Sequence, residues 1–253
     1  MTEEEFEQEV RFYQQAIRDT IAHVDLRLYW SEAAPELSAR FNILLHNDLF
    51  HGRLLCIRLL SDGQRDVRLG AIKLIGSYDK KGDSVLSLAL IQLACRQKDL
   101  REEALYAVWH VRTRYVLPQL LSFADKGYSS ALYMIRPLLQ TPEEIQRAIL
   151  IAHKYIDASD YELREAALFL LQRYSTMEQE AERVLAAVQR YTDELFIDAL
   201  KKAPLERVLE PLKALRATFP ERSAEYGDLS STIKVLEQRN HEGDEYKEGG
   251  GMS

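Results

Sequence analysis

Apolar residues recur along this chain with the period of a helix. Phe6, Val10, Tyr13, Ile17, Ile21, Val24 and Leu28 are spaced by three or four, which places them on one helical face and predicts a long amphipathic helix over residues 3–29. After Pro35 a second helix is expected at Glu36–His46. Apolar helices are then expected at Leu49–Leu60, Val85–Cys95, Val116–Phe123, Ile145–Ile156 and Ala181–Tyr191. Each leads into another apolar helix through a short connection, such as Ser61-Asp62-Gly63-Gln64 or Asp125-Lys126-Gly127, so antiparallel helix pairs follow. Residues 229–238 predict a last helix with Asp228 or Ser230 as its N-cap. Asn240 to Ser253, with the Gly249-Gly250-Gly251 run, has too little apolar content to fold and reads as a mobile tail.

The second helices of these pairs repeat one another. Asp66-Val67-Arg68-Leu69-Gly70-Ala71-Ile72 returns as Asp99-Leu100-Arg101-Glu102-Glu103-Ala104-Leu105, and again as Glu162-Leu163-Arg164-Glu165-Ala166-Ala167-Leu168. Ser130-Ala131-Leu132 keeps the core of the pattern without the arginine, and Asp198-Ala199-Leu200 is a fainter copy. The repeated alanines at 71, 104, 131, 167 and 199 are 33, 27, 36 and 32 positions apart. A small residue at that position lets two helices approach closely, and the flanking apolar residues form a stripe that must be covered.

At these residues the chain resembles the HEAT-repeat family. The closest match is Leu60-Ser61-Asp62-Gly63-Gln64-Arg65-Asp66-Val67-Arg68 with Ala71, Ile72, Leu74, Ile75 and Gly76, and Val116-Leu117-Pro118-Gln119-Leu120 is similar to the family's proline-bearing first helix. The resemblance covers about residues 49–215. It implies an all-α, right-handed solenoid of antiparallel helix pairs, with N-terminal capping helices at 1–48, a C-terminal capping helix at 216–239 and an acidic tail at 240–253. It also implies a polar ladder between repeats, built from an aspartate and an arginine six positions later, the spacing of Asp62 and Arg68. Cys95 stands at the aspartate position of the second copy and the third copy lacks the arginine, so the ladder is expected to be broken.

Composition agrees with helices: 11 Gly and 7 Pro in 253 residues fall well below the combined ~12% of average usage. The net charge of -7 is uneven. Residues 1–9 contribute -5 and residues 238–253 contribute -2, which leaves the body neutral and disfavours an unselective phosphate-binding surface. Cys56 and Cys95 lie in apolar helical patterns and are expected to be buried, reduced thiols. No stretch approaches the ~18 apolar residues of a membrane span, and Met1-Thr2-Glu3-Glu4-Glu5-Phe6 lacks the basic and apolar regions of a secretory signal. A cytoplasmic protein without membrane association is expected.

Catalytic and metal motifs are missing: there is no phosphate-binding glycine loop, nucleophile elbow, H-E-x-x-H or C-x-x-C. His46-Asn47-Asp48-Leu49-Phe50-His51 gathers three ligand types in six residues, but the spacing does not converge them on one helix face, and Asn47 or Asp48 reads as an N-cap. HEAT-like diiron hydroxylases carry repeated His-Glu pairs, and here the only pair is His241-Glu242. Glu102-Glu103, Glu143-Glu144 and Glu162/Glu165 fall in first turns, where they complement the helix dipole. No catalytic residue, metal or cofactor is expected.

Superposing the copies on their alanine puts Lys73, Tyr106, Tyr133, Phe169 and Lys201 at one position and Gly76, Trp109, Arg136, Gln172 and Pro204 at another. Positions three apart share a helix face. Tyr106, Trp109, Tyr133, Arg136 and Phe169 therefore either fill seams between diverged repeats or line a concave stripe, and Tyr, Trp and Arg are the residues enriched in binding hot spots. His110, Arg112 and Arg114 stand near the same helix end. A non-catalytic scaffold that binds a protein or peptide on this face is the leading reading. HEAT-like alkylpurine DNA glycosylases, which also place aromatics along a small helical array, are the alternative, weakened by the acidic total. Phycobilisome lyase HEAT-like proteins are a third resemblance.

Overall fold

The computed structural model describes residues 1–23, 30–78 and 81–248, with the side chains of 1–23, 32–78 and 81–239. Among the described residues there are helices and turns and no strand. The chain forms two compact units, Met1–Leu139 and Gln140–Ser253. The division falls between the third and fourth repeat copies, inside the segment that resembles an uninterrupted array.

The first unit opens with α1 (Glu3–His23), which buries Phe6, Val10, Tyr13 and Ile17 as their spacing predicts. Val24 and Leu28, the last positions of that pattern, lie outside the described residues. A single turn, α2 (Trp30–Ala33), precedes α3 (Pro35–Asn47). Then come the pairs α4 (Leu49–Leu60) with α5 (Arg65–Ser77), α6 (Ser84–Arg96) with α7 (Arg101–Val111), and α8 (Leu117–Asp125) with α9 (Ser129–Ile135). The helices of each pair pack together. Neighbouring pairs meet first helix on first helix, α4 on α6, and second on second, α5 on α7 on α9. Ala71, Ala104 and Ala131 are all buried at these contacts. The long helix α1 packs on α4 and α5. Gly70 makes room for it: a Cβ there would stand 2.2 Å from Cγ2 of Ile17.

The second unit repeats the plan with α10 (Pro142–Tyr155) and α11 (Tyr161–Tyr174), α12 (Met177–Tyr191) and α13 (Glu194–Ala199), and α14 (Leu205–Arg216) and α15 (Ala224–Glu248). Ala167 and Ala199 are buried. Capping boxes start α10, with Thr141 and Glu144, and α12, with Thr176 and Gln179. The sequence pattern gave no sign of α14, because Pro211 interrupts it; the helix passes through Pro211 and buries Val208 and Leu212 instead. The last helix begins earlier than the pattern indicates and runs on past Asn240 to Glu248, since backbone hydrogen bonding can continue after the apolar face has ended. Residues 249–253, including the glycine run, are outside the described residues.

The polar ladder differs from the expected one. Arg68 donates through Nη1 to the carbonyls of Asp62 at 2.7 Å and Gly63 at 3.1 Å, and it does not pair with the Asp62 carboxylate. That carboxylate accepts from Nε2 of Gln14 on α1 at 2.7 Å and from the Gln64 amide at 2.8 Å. Arg101 repeats the carbonyl contact, donating from Nε to Ala94 at 2.7 Å, and its Nη1 reaches the Tyr128 hydroxyl. Tyr128 occupies the arginine position of the third copy, three residues before Ala131, so the missing arginine is replaced by an acceptor for the preceding one. Arg164 contacts the carbonyls of Ala158 and Ser159 at 2.8 and 2.9 Å and ends on Asp193 at 2.6 Å. In each copy that carries the arginine, the guanidinium satisfies backbone carbonyls of the connection between the two helices, or of the last turn of the first one, whether or not an aspartate is present.

Candidate interaction surface

The surface is built on α7. This helix buries Ala104, Leu105, Ala107, Val108 and Val111 against its neighbours, so positions 102, 106 and 109 turn outward with helical spacing. Tyr106 is 54% exposed and Trp109 39% exposed. Neither is a seam residue, for which almost complete burial would be required. Tyr106 lies edge-on to His110, with ring centroids 6.0 Å apart. Arg112 folds back over Trp109, its guanidinium carbon 3.8 Å from the ring centroid, and donates to the Trp109 carbonyl. One face of the indole is thereby held by a cation–π contact.

The neighbouring second helices extend the surface. On α9, Tyr133 is half-buried, and Arg136, in the turn that directly follows α9, is exposed; on α5, Lys73 and Gly76 are half-buried. Gly76 lies against α7, where an added Cβ would be 3.8 Å from that of Ala107. Ser130 of α9 donates to the Glu102 carboxylate of α7 at 2.8 Å, tying the two helices together along this face. Four of the five stripe residues thus lie on the adjacent α7 and α9 or in the turn directly after α9, all in the first unit. Phe169, the fifth, is half-buried on α11 of the second unit. Tyr115, just beyond α7, is 78% exposed; it stands at no repeated position and directly precedes the apolar Val116-Leu117 run, so the sequence pattern does not mark it as a surface residue.

Other polar residues act structurally. Asp48 is the N-cap of α4: its carboxylate accepts from the His51 amide at 3.2 Å and pairs with Nδ1 of His51 at 2.7 Å. Those bonds from His51, backbone first, hold the Asp48 carboxyl below its ordinary range. Among the described residues, no three His, Cys, Asp or Glu side chains converge in a way that could hold a metal ion. Cys56 is buried, and desolvation pushes its thiol up. Cys95 is exposed rather than core. The buried side of α6 is carried by Leu86, Ser87, Leu90, Ile91, Leu93 and Ala94, and Cys95 falls on the opposite side with Leu88 and Gln92.

The second unit has a different polar feature in its interior. Glu180 of α12 is buried and receives Nε2 of His153 at 2.9 and 3.0 Å, the Ser175 hydroxyl at 2.7 Å and Nη1 of Arg183 at 3.2 Å. Burial pushes its carboxyl up, but the bonds from Ser175 and His153 and the charges of His153 and Arg183 outweigh that effect, so it titrates below the ordinary glutamate value. Four donor contacts make this a satisfied structural carboxylate. It has no open side from which to take a proton from a substrate.

Neither a scan of protein-family models nor a search of curated proteins finds a match to the chain. Among the described residues no helix is long and apolar enough to cross a membrane.

Proposed function

We propose that this protein is a non-catalytic, HEAT-like helical-repeat module of the cytosol. In this reading the outer face of α5, α7 and α9 receives a protein or peptide partner, with Tyr106, Trp109, Tyr133 and Arg136 as its contacts. The observation that carries the proposal is the position of Tyr106 and Trp109. They stand in water on a helix whose alanines, valines and Leu105 are buried, and covering exposed aromatic area of this kind supplies much of the energy of many interfaces. The neutral body favours a protein over a polyanion, and two free thiols suit a reducing compartment.

Affinity capture from cytosol, with and without nuclease, tests the proposal. Capture that survives nuclease and is lost in Trp109→Ala, with binding weakened by about 2–4 kcal/mol, supports it. Capture abolished by nuclease would replace it with the DNA-binding reading. Capture indifferent to Trp109→Ala would remove this face from consideration.

A further inference from the structure

A second surface lies on the first helices of the same unit. Phe50, Leu54 and Ile57 of α4 are exposed at i, i+4 and i+7, and Val85 and Leu88 of α6 are exposed at i and i+3; Phe50 is 71% accessible. The two helices pack on one another. They bury the same register: Gly52, Leu55, Cys56 and Leu59 in α4 correspond to Ser87, Leu90, Ile91 and Ala94 in α6. The five exposed residues therefore look outward on one side of two adjacent helices. Scattered apolar side chains are ordinary on a surface, but a two-helix apolar face with helical spacing has the form of a helix-receiving groove.

Charge selects the occupant. Neither α4 nor α6 contains an aspartate or glutamate, whereas they carry Arg53, Arg58 and Arg96. Arg53 is held by the buried Asp83 at 3.0 Å, and Arg58 makes an exposed ion pair with Glu7 at 3.3 Å. No acidic side chain pairs with Arg96 among the described residues. A second copy pairing through the same face would present the same acid-free helices and offer Arg96 no carboxylate from α4 or α6. We infer that this face binds an amphipathic helix of another protein, with aliphatic residues along its seam and Asp or Glu at the edge that meets Arg96, which would complement the apolar rows and the arginine that has no acidic partner among the described residues.

The test uses the full chain and two fluorescent helical peptides of about 18 residues, long enough to lie along α4. Both carry leucine at three-and-four spacing; one has glutamate along its edges and the other lysine. The glutamate peptide should bind saturably and at least about tenfold more tightly than the lysine peptide at low salt. Leu54→Glu with Ile57→Glu should abolish that binding, whereas Trp109→Ala should leave it unchanged, which separates this surface from the one on α7. Arg96→Glu keeps the apolar rows and should narrow or reverse the preference between the peptides. Circular dichroism melts verify that the variants fold; if the double variant does not, the Arg96→Glu comparison decides. Equal binding of both peptides, binding that survives the double variant, or no saturable binding would overturn the inference. So would sedimentation showing a dimer that the double variant dissociates, or attachment to anionic phosphatidylserine vesicles without peptide binding.

Discussion

The two units share a plan and use their side chains differently. Among the described residues, the first unit shows water nearly all of the large apolar side chains that the molecule exposes, from Phe12 and Ile43 through Phe50 and Leu88 to Tyr106, Trp109 and Tyr115. The second shows only Leu150 and Tyr161. Buried polar side chains among the described residues are divided evenly, with Ser38, Asp83 and Ser87 in the first unit and Arg164, Glu180 and Thr232 in the second, so it is exposed apolar area that separates the two. Arg164 and Glu180 are buried in the second unit, and both capping boxes begin its helices. Arg164 is held between two carbonyls, Asp193 and the ring of Tyr191, whose centroid is 3.8 Å from its guanidinium carbon. Apolar area left in water gains nothing for folding and stabilises only when covered, whereas caps and satisfied buried charges specify the fold from within. The units therefore differ in how much apolar area they leave uncovered, and the proposed interaction surface lies on the one that leaves more.

The largest expected effect is at Arg164. Arg164→Ala removes every one of those contacts and leaves Asp193 without its partner, so the second unit should lose about 3–5 kcal/mol in denaturant unfolding. A loss below about 1 kcal/mol would show that these contacts do not hold the second unit together. Next comes Gly70→Ala, which drives a methyl into Ile17 and should cost about 1–3 kcal/mol. That loss should appear in the unfolding of the first unit only.

Glu180→Gln sharpens the comparison through pH. Because the folded-state carboxyl titrates below its ordinary value of 4.5, its contribution is complete above that value and is lost as pH falls through the lowered one. Wild-type stability should therefore decline more steeply than that of the Gln variant below about pH 4.5, and near neutrality the variant should be weaker by about 1–3 kcal/mol. Parallel acid limbs would remove Glu180 from the stabilising network. Trp109→Ala tests the exposed side of the contrast: chemical melts should shift by less than about 1 kcal/mol, compared with the 3–5 kcal/mol that a core tryptophan would cost. The smallest effect is expected at Thr192, which ends α12 with φ of 56°. Thr192→Gly should raise stability by a few tenths of a kcal/mol up to about 1, since a β-branched residue is strained in the left-handed region.

Local pattern determined much of this molecule. The three-and-four spacing of Phe6, Val10, Tyr13 and Ile17 located α1 and its buried face. Leu49–Leu60 was legible to the residue, and the repeated alanines marked the places where second helices pack, because all of these depend on the short-range periodicity of a single helix. Pro211 concealed α14 for the same reason: a local breaker outweighs, in sequence, a burial that only neighbouring helices supply. The division between the third and fourth copies, the recruitment of Tyr128 as acceptor for Arg101, the claim of α1 on Asp62, and the exposure of Cys95 were decided by which elements came to lie beside one another. So was the surface itself. The sequence placed Tyr106 and Trp109 on one helical face and left open whether a neighbour covered it, and it did not distinguish the outward Phe50, Leu54 and Ile57 from the buried leucines beside them. Apolar spacing records which residues could be buried together; the packing of α4 on α6, and of α7 between α5 and α9, determines which of them are.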